Sequence, residues 1–211
     1  MTQSAIPTPS ETKSPSSSQA CTSGRITQAM QSLLKQQSYR QITINQVIRQ
    51  AEIGRSTFYR YFHSKLDILV ALHDRLFLNL LNGLNSPEAW LQPTPPTALV
   101  KLFTRFDGER PLHRSIGDAI GSDSESANKR IELALIQQLE RQLKASFGDE
   151  EWDLPPQELA ASLAALYLMH LTRLRQGLNR GGAQACADLV HRHSQALIRE
   201  SLKPEAWPQT H

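Results

Sequence analysis

Apolar residues recur along most of the chain at the spacing of an amphipathic helix. The first clear case lies in residues 24–34, where Ile26, Met30 and Leu33 fall on one face. Thr43 then stands where a helix N-cap is favoured, because its hydroxyl can accept a hydrogen bond from a free backbone N–H. The helix predicted after it has an apolar side made of Ile44, Val47, Ile48 and Ala51.

A short turn and a third helix follow. Residues 52–54 predict the turn, in which Gly54 is free to adopt backbone angles that other residues resist. The next helix is predicted over residues 55–62, with Phe58 and Phe62 buried four residues apart. Three short helices with a three-residue turn between the last two indicate a helix-turn-helix.

The rest of the chain has the same helical spacing. Three prolines within residues 93–96 forbid a continuous helix there. No run alternates convincingly with period two, so the predicted fold class is all-α. The further helices are predicted over residues 65–84, 97–107, 110–121 (short and irregular), 124–147, 155–179 and 183–203.

The composition of the N-terminus differs from that of the rest. Residues 1–23 hold seven Ser, four Thr and three Pro with few large apolar residues, which predicts a disordered tail. The predicted divisions are the tail at 1–23, a domain at 24–70 that contains the helix-turn-helix at 43–62, a larger helical domain at 71–203, and a flexible tail at 204–211.

The overall composition, 39% hydrophobic and 20% charged, is that of a globular protein. No stretch approaches the roughly 18 consecutive apolar residues of a membrane span, and the N-terminus has no apolar segment typical of a secretory signal. Cys21 and Cys186 lie too far apart for a metal or redox motif. We therefore expect a reduced, cytoplasmic compartment and no membrane partner.

Positive charge is concentrated early in the chain. Residues 24–66 carry one acid, Glu52, and seven basic residues. Subtracting that +6 from the net charge of +3 leaves −3 for everything else. Such a segment is typical of contact with a polyanion, although a solvated helical face could give the same pattern. The basic residues are Arg25, Lys35, Arg40, Arg49, Arg55, Arg60 and Lys65.

The third helix combines basic, hydroxyl and aromatic residues outside its two phenylalanines. Arginine can donate two hydrogen bonds to guanine in the major groove, while hydroxyl groups reach bases or phosphates. Tyrosine, histidine and lysine at the flanks can hold the DNA backbone. Alternatively, the tyrosines cap a small core and the arginines are solvated. The predicted DNA contacts are Thr43, Arg55, Ser56, Thr57, Tyr59, Arg60, Tyr61, His63 and Lys65.

The stretch "TINQVIRQAEIGRSTFYRYF" at residues 43–62, followed by "HSK", resembles the DNA-binding signature of the TetR family of transcriptional regulators. Two positions depart from it: Glu52 stands where the family commonly has Gly, and Gly54 where it commonly has Ser. Because Glu52 brings an acid close to the phosphates, we expect a modest weakening of binding. The matching positions are Thr43, Ala51, Ile53, Gly54, Thr57, Phe58, Tyr59, Phe62, Ser64 and Lys65.

The resemblance implies that residues 24–70 bind DNA and that residues 71–203 bind an effector and dimerise. It also implies about nine helices and a homodimer joined through the last two helices of each subunit. Such a dimer binds a pseudo-palindromic operator on double-stranded DNA. Apolar stripes in the last two predicted helices are compatible with this, although both stripes could instead pack inside one subunit. The predicted interface residues are Leu163, Tyr167, Leu174, Leu189, Val190, His193 and Leu197.

The resemblance also implies a cavity for a small-molecule effector among the middle helices. An effector that prefers the non-binding spacing of the recognition helices would release a repressor from its operator. Each candidate for the cavity wall is also a typical core residue. The candidates are Trp90, Phe103, Phe106, Tyr167, Met169, His170 and Arg173.

Two other functions have to be weighed. An enzyme would need a catalytic constellation, and Cys186, His191 and His193 come with no nucleophile elbow or His-x-x-x-His pair. We therefore expect no catalytic site, no metal and no cofactor. The second alternative is an architectural or division-linked DNA-binding protein without an effector, because a filled core and a cavity wall have the same composition.

Overall fold

The structure, a computed structural model, describes residues 17–107, 124–149, 151–179 and 181–203. These residues form nine α-helices and, apart from an isolated β-bridge between Trp152 and Leu202, no β-structure, which confirms the all-α class. The helix predicted over 110–121 and the tail predicted at 204–211 lie outside the described residues. The helices are α1 (Ser17–Leu34), α2 (Ile44–Gln50), α3 (Arg55–Tyr61), α4 (Lys65–Leu81), α5 (Pro87–Leu91), α6 (Thr97–Phe106), α7 (Ser124–Phe147), α8 (Pro156–Arg175) and α9 (Gly182–Ser201).

Reciprocal hydrogen bonds begin both α2 and α4. Thr43 accepts from the backbone N–H of Gln46 at 3.2 Å, and the Gln46 side chain accepts from the Thr43 N–H at 2.7 Å. Ser64 and Asp67 form the same capping box, at 3.2 and 2.8 Å. Each box satisfies two backbone donors that a helix end leaves free. The predicted N-cap role of Thr43 is confirmed.

A compact core holds α1, α2 and α3 against the first half of α4. Phe58 and Phe62 are both buried, with ring centroids 6.4 Å apart, which confirms their predicted inward orientation. Ala127, on the first turns of α7, belongs to this core as well. The cluster consists of Ile26, Ala29, Met30, Leu33, Leu34, Tyr39, Ile42, Val47, Ala51, Phe58, Phe62, Ile68, Leu69 and Ala127.

The second half of α4 enters a larger core shared with α5 to α9. Leu135, Leu139 and Leu143 recur every four residues on α7 and are fully buried. Because α4 supplies Ile68 to the first core and Phe77 to the second, it connects the two halves without a linker. In the described parts of the chain, no helix combines the length and apolar composition that crossing a membrane requires.

Polar groups fasten the elements of the larger half to one another. Asp107, just after α6, accepts a hydrogen bond from the Ala183 N–H in the first turn of α9 at 2.9 Å. This carboxylate satisfies a free backbone donor at the positive end of that helix. On the same helix, the side-chain nitrogens of His191 and Gln195 lie 2.8 and 2.6 Å from the carbonyl of Gln92. Helix α9 therefore fixes both ends of the segment that contains α6.

The described start of α1 corrects the predicted N-terminal tail. Residues 17–23 are helical, and the Thr27 hydroxyl donates to the carbonyls of Ser23 and Gly24 at 3.2 and 2.9 Å. Extending an existing helix costs little once its first turn has formed, and no proline lies between residue 17 and the apolar face. The polar composition of these residues is therefore compatible with a helix; the predicted tail at 1–16 lies outside the described residues.

The burial of the last helices also corrects part of the predicted interface. Leu163, Tyr167, Leu174 and Val190 are buried inside the single chain and have almost no side-chain surface for a partner. They face the other helices of the larger core, as the one-subunit alternative supposed. Of the remaining candidates, Leu189 is half-buried, while His193 and Leu197 are exposed.

Candidate nucleic-acid interface

The turn between α2 and α3 uses a left-handed residue at a position that the sequence did not indicate. Glu52 has φ of 50°, whereas Gly54 has φ of −78° and ordinary extended geometry. The Glu52 and Ile53 N–H groups donate to the carbonyls of Arg49 and Ile48 at 3.1 and 3.3 Å. These two bonds define a Schellman motif, whose left-handed position usually holds glycine. The flexibility predicted for Gly54 is therefore needed at Glu52.

Arg25 on α1 secures this turn from outside. Its Nη2 donates to the carbonyls of Ala51 and Glu52 at 2.6 and 3.0 Å, and it lies 3.8 Å from the Glu52 carboxylate. These bonds satisfy carbonyls at the C-terminal end of α2. One of the seven basic residues in the early segment is thus committed to the fold.

Helix α3 presents four polar or aromatic side chains to solvent. With Phe58 fully buried, the exposed residues are Arg55, Ser56, Tyr59 and Arg60. The Arg55 guanidinium carbon lies 5.8 Å from the centre of the Tyr59 ring, and that ring stands edge-on to Phe58 at 5.3 Å. This cation–π contact restricts the conformations of the Arg55 side chain in the unbound protein. The outward face is therefore accessible and partly ordered.

The other predicted contacts of this region are less exposed. Thr57 and Tyr61 are half-buried at the flanks of α3, and Tyr61 packs against the first core. Thr43 is exposed, but its hydroxyl is already engaged in the α2 cap. His63 is exposed between α3 and α4, and its backbone N–H donates to Asp67 at 2.9 Å. These residues border the outward face of α3.

The Lys65 side chain contacts groups within the chain, whereas the sequence predicted a contact with DNA. Its ammonium group donates to the carbonyls of Tyr39 and Ile42 at 3.0 and 2.6 Å, and lies 4.6 Å from the centre of the Tyr39 ring. The side chain therefore attaches the start of α4 to the loop before α2. The prediction that Lys65 reaches a phosphate is corrected, because its donors face carbonyls within the chain.

Besides Arg25, five basic residues of the early segment are exposed. Among the described residues, Arg49, Arg55 and Arg60 have no ion-pair partner. Arg49, in the last turn of α2, was counted in the charge of the segment but was not singled out as a contact. Its place beside the turn could have been read from the helix pattern. The other two exposed cations are Lys35 and Arg40.

Asp67 connects this interface to the larger half. Its Oδ2 accepts from the backbone N–H groups of His63 and Ser64, and its Oδ1 accepts from Arg130 of α7 at 2.8 Å. Burial by itself would raise the pKa of the Asp67 carboxyl, but the hydrogen bonds from Arg130, Ser64 and His63 together lower it. A charged group thus joins α7 to the residues that follow α3.

A cavity of about 580 Å³ lies between α4, α7 and α8. Phe106, Met169 and Arg173 line it, as predicted. Trp90, Phe103, Tyr167 and His170 do not; they are buried in the larger core, and this part of the prediction is corrected. His73 and Arg175 line the cavity although the sequence did not single them out. Their only sequence signal was a polar side chain beside an apolar stripe.

The cysteine and histidine residues of the last helices do not form a cluster. Cys186 lies 3.6 Å from His170 on α8, while His191 contacts the carbonyl of Gln92 and His193 is exposed. Burial raises the pKa of the Cys186 thiol, which disfavours the reactive thiolate. Across the described ranges, no group of three or more His, Cys, Asp and Glu side chains is arranged to hold a metal ion.

Known proteins share this helix-turn-helix. The family model described as "Bacterial regulatory proteins, tetR family" matches residues 26–72, which contain the helix-turn-helix. The HTH-type dhaKLM operon transcriptional activator DhaS of Lactococcus lactis subsp. lactis (strain IL1403) is 29% identical over 65 residues, which are 31% of this chain and 35% of that protein. The match thus spans about a third of the curated relative.

Two solved structures share the fold over most of the chain. A TetR-family transcriptional regulator from Syntrophomonas wolfei str. Goettingen has a TM-score of 0.58 at 17% identity, covering 85% of this chain and 96% of its own. A TetR transcriptional regulator from Rhodococcus sp. RHA1 has a TM-score of 0.56 at 19% identity, covering 89% and 100%. The segment 26–72 is thus similar to the helix-turn-helix of TetR-family regulators, and most of the chain shares the fold of these two solved structures.

Proposed function

We propose that this protein is a repressor that binds a pseudo-palindromic DNA operator as a homodimer and is released by a small-molecule effector. The observation that carries DNA binding is the outward face of α3, where Arg55, Ser56, Tyr59 and Arg60 are exposed while Phe58 fixes the opposite side in the core. A short helix that is buried on one side and basic on the other suits the major groove.

The exposed residues divide into two roles in this proposal. Arg55, Ser56 and Arg60 contact base edges, because they are exposed on α3 and carry side-chain donors that base edges can accept. Arg49, Tyr59 and His63 contact phosphates at its borders and fix the orientation of the helix. Thr43 and the half-buried Thr57 and Tyr61 are proposed to make peripheral backbone contacts only.

Selection of bound sequences from a random duplex pool tests DNA binding, symmetry and spacing together. We expect a pseudo-palindrome whose half-sites are about one helical turn or more apart. An Arg55→Ala/Arg60→Ala variant should lose the enrichment, whereas Lys101→Ala, an exposed cation on α6, should retain it. Enrichment of no sequence by the native protein, or equal enrichment by both variants, would contradict sequence-specific binding through α3.

The proposed dimer surface is the exposed side of α9. Leu189, His193 and Leu197 recur at helical spacing there, and the small exposed residues Ala185 and Ala196 allow another helix to approach closely. A twofold arrangement of this face against its copy would form a four-helix bundle with the two α8 helices.

Light scattering after size exclusion measures the oligomeric state directly. Leu197→Glu should convert a dimer into a monomer, because a charge would be buried between the subunits. Leu178→Glu is a matched control, since Leu178 is 54% exposed in the α8–α9 connection outside this face. A native protein that is monomeric at micromolar concentration would contradict the proposal.

The route proposed for release runs from the cavity to α3 through α4 and α7. Asn128, Ile131 and Glu132 of α7 line the cavity, and Arg130 of the same segment binds Asp67. Since Asp67 also holds the backbone of His63 and Ser64, displacement of α7 would be transmitted to the residues that follow α3. A coupling of roughly 1–3 kcal/mol would change operator affinity about 5- to 150-fold.

Transcription from a promoter that contains the selected site distinguishes repression from activation. We expect addition of the protein to lower transcript levels and Arg60→Ala to restore them. The relative DhaS is named an activator, and a rise in transcription would assign that role to this chain and contradict repression. Protection of many scattered sites would instead indicate the architectural alternative.

A further inference from the structure

The cavity between α4, α7 and α8 has an apolar wall. Leu76 and Phe77 of α4, Phe106 at the end of α6, Ile131 of α7 and Leu168 of α8 contribute to it. A volume of about 580 Å³ lies within the range of sites for small organic molecules. This wall can accept an apolar body by the hydrophobic effect alone.

Two arginines of α8 also line the cavity. Arg173 and Arg175 both line the cavity, and neither guanidinium makes a hydrogen bond or an ion pair with another described residue. Glu132 is the only acid among the described lining residues. With one acid against two arginines, the side chains around the cavity have an excess of positive charge.

His73 adds a polar group at the apolar wall without adding negative charge. Its Nδ1 lies 2.8 Å from the carbonyl of Leu69 and therefore carries the proton that it donates. Burial lowers the pKa of His73, and the nearby charge of Arg175 lowers it further, so the ring is neutral at neutral pH. Its Nε2 is then a hydrogen-bond acceptor.

We propose that the effector is an amphipathic organic anion, namely a carboxylic acid whose carboxylate binds Arg173 and Arg175 and whose apolar body lies against Leu76, Phe77 and Phe106. The guanidinium group binds carboxylates through paired N–H donors, and such charge-assisted bonds are stronger than neutral ones. This inference rests on the proposed effector-regulated function and adds the chemical class of the ligand.

Three probes of nearly equal size test the sign of the recognised charge: 2-naphthoate, 2-naphthamide and 2-naphthylmethylammonium. Isothermal titration of the full-length protein should give a dissociation constant for naphthoate about tenfold or more below that of the amide. The ammonium compound should bind most weakly. Equal or tighter binding of the amide or the ammonium would overturn the proposal, as would no binding by any of the three up to their solubility limits.

Variants test whether the preference for the carboxylate probe depends on Arg173 and Arg175. In Arg173→Gln/Arg175→Gln the preference for naphthoate over naphthamide should vanish, while affinity for the amide stays the same. Arg141→Gln, which removes an exposed cation on α7 outside the cavity, should keep the preference. Thermal melting checks that the variants fold. An unchanged preference in the double variant would overturn the assignment of the carboxylate to these residues.

Operator binding, measured on the same preparations by fluorescence anisotropy, separates the two proposals. If the protein binds its operator but prefers naphthamide, the proposed function stands and the proposal of an anionic effector fails. A protein that prefers naphthoate but does not bind duplex DNA keeps the anion site and loses the proposed function. Release from the operator by naphthoate, and less by naphthamide, is the result expected when both are correct.

Discussion

Helices α2 and α8 end with the same pair of hydrogen bonds but with different residues at the left-handed position. After α8 the position is Gly177, with φ of 68°, and the N–H groups of Gly177 and Leu178 donate to the carbonyls of Leu174 and Arg173. After α2 it is Glu52, which Arg25 holds in place through two backbone carbonyls. The smaller half thus depends on tertiary contacts where the larger half uses glycine.

The cores of the two halves also differ in how much depends on a single residue. In the smaller one, Phe58 both fills the core and sets the face that α3 presents to solvent. In the larger one, Leu135, Leu139 and Leu143 are fully buried members of one long apolar stripe. A single core side chain of the smaller half therefore determines which residues of α3 reach solvent.

The largest expected effect comes from removing one aromatic ring in each core. Phe58→Ala and Phe103→Ala should each lower the free energy of unfolding by about 3–5 kcal/mol, because both rings are fully buried. Chemical denaturation measures this loss. At temperatures where both variants remain folded, only Phe58→Ala should weaken operator binding. Equal DNA affinities would show that the small core does not position α3.

Removing one exposed arginine from each half should give the next largest difference. Arg60→Ala should cost about 1–3 kcal/mol of operator affinity and relax the preference at one base position. Arg105→Ala, which removes an exposed arginine on α6, should change affinity little. Fluorescence anisotropy on the selected operator and its single-base variants measures both. A comparable loss in the two variants would indicate a general charge effect in place of base contact.

The ion pair between the halves should have an effect of about 1 kcal/mol that depends on pH. Because the pKa of folded Asp67 is below its usual value of 3.8, ionisation stabilises the folded state above that pH. Arg130→Gln should therefore lower stability at neutral pH, and its difference from the native protein should disappear as the pH falls through the folded-state pKa. Denaturation curves over this range measure the change.

Lys144→Gln is the control for that experiment. It breaks the pair between Lys144 and Glu140, which are 3.0 Å apart on the surface of α7 alone. Such a solvent-exposed pair within one helix contributes little to stability. A cost for Arg130→Gln no greater than that of Lys144→Gln, or one that persists in acid, would contradict a special role for the pair between the halves.

The smallest expected effects test the two helix ends themselves. Glu52→Gly should raise the free energy of unfolding by about 0.5–1 kcal/mol, and Gly177→Ala should lower it by about 1 kcal/mol, because only glycine adopts positive φ without strain. Gly54→Ala is the control: its φ is ordinary, and an added Cβ would lie 3.8 Å or more from its neighbours. A loss of stability in Glu52→Gly would mean that the contacts of the Glu52 side chain stabilise the fold by more than its left-handed backbone conformation destabilises it.

The sequence predicted the smaller half to the level of individual side chains. The Thr43 cap, the inward Phe58 and Phe62 and the bounds of α3 follow from local rules, since caps and helical faces depend on residues within one or two turns. For Lys65 and Arg25 the same rules were insufficient. Their partners, the carbonyls of Ile42 and Ala51, lie more than twenty residues away along the chain.

For the larger half, the sequence predicted the helices but not the elements against which their apolar faces pack. Leu163 and Val190 have the pattern of either an interface or a core, and only packing placed them inside the single chain. The lining of the cavity by His73 and Arg175 and the contact between Asp67 and Arg130 were likewise decided by packing. Helical periodicity specifies which residues share a face, whereas the neighbour of that face depends on how distant helices meet.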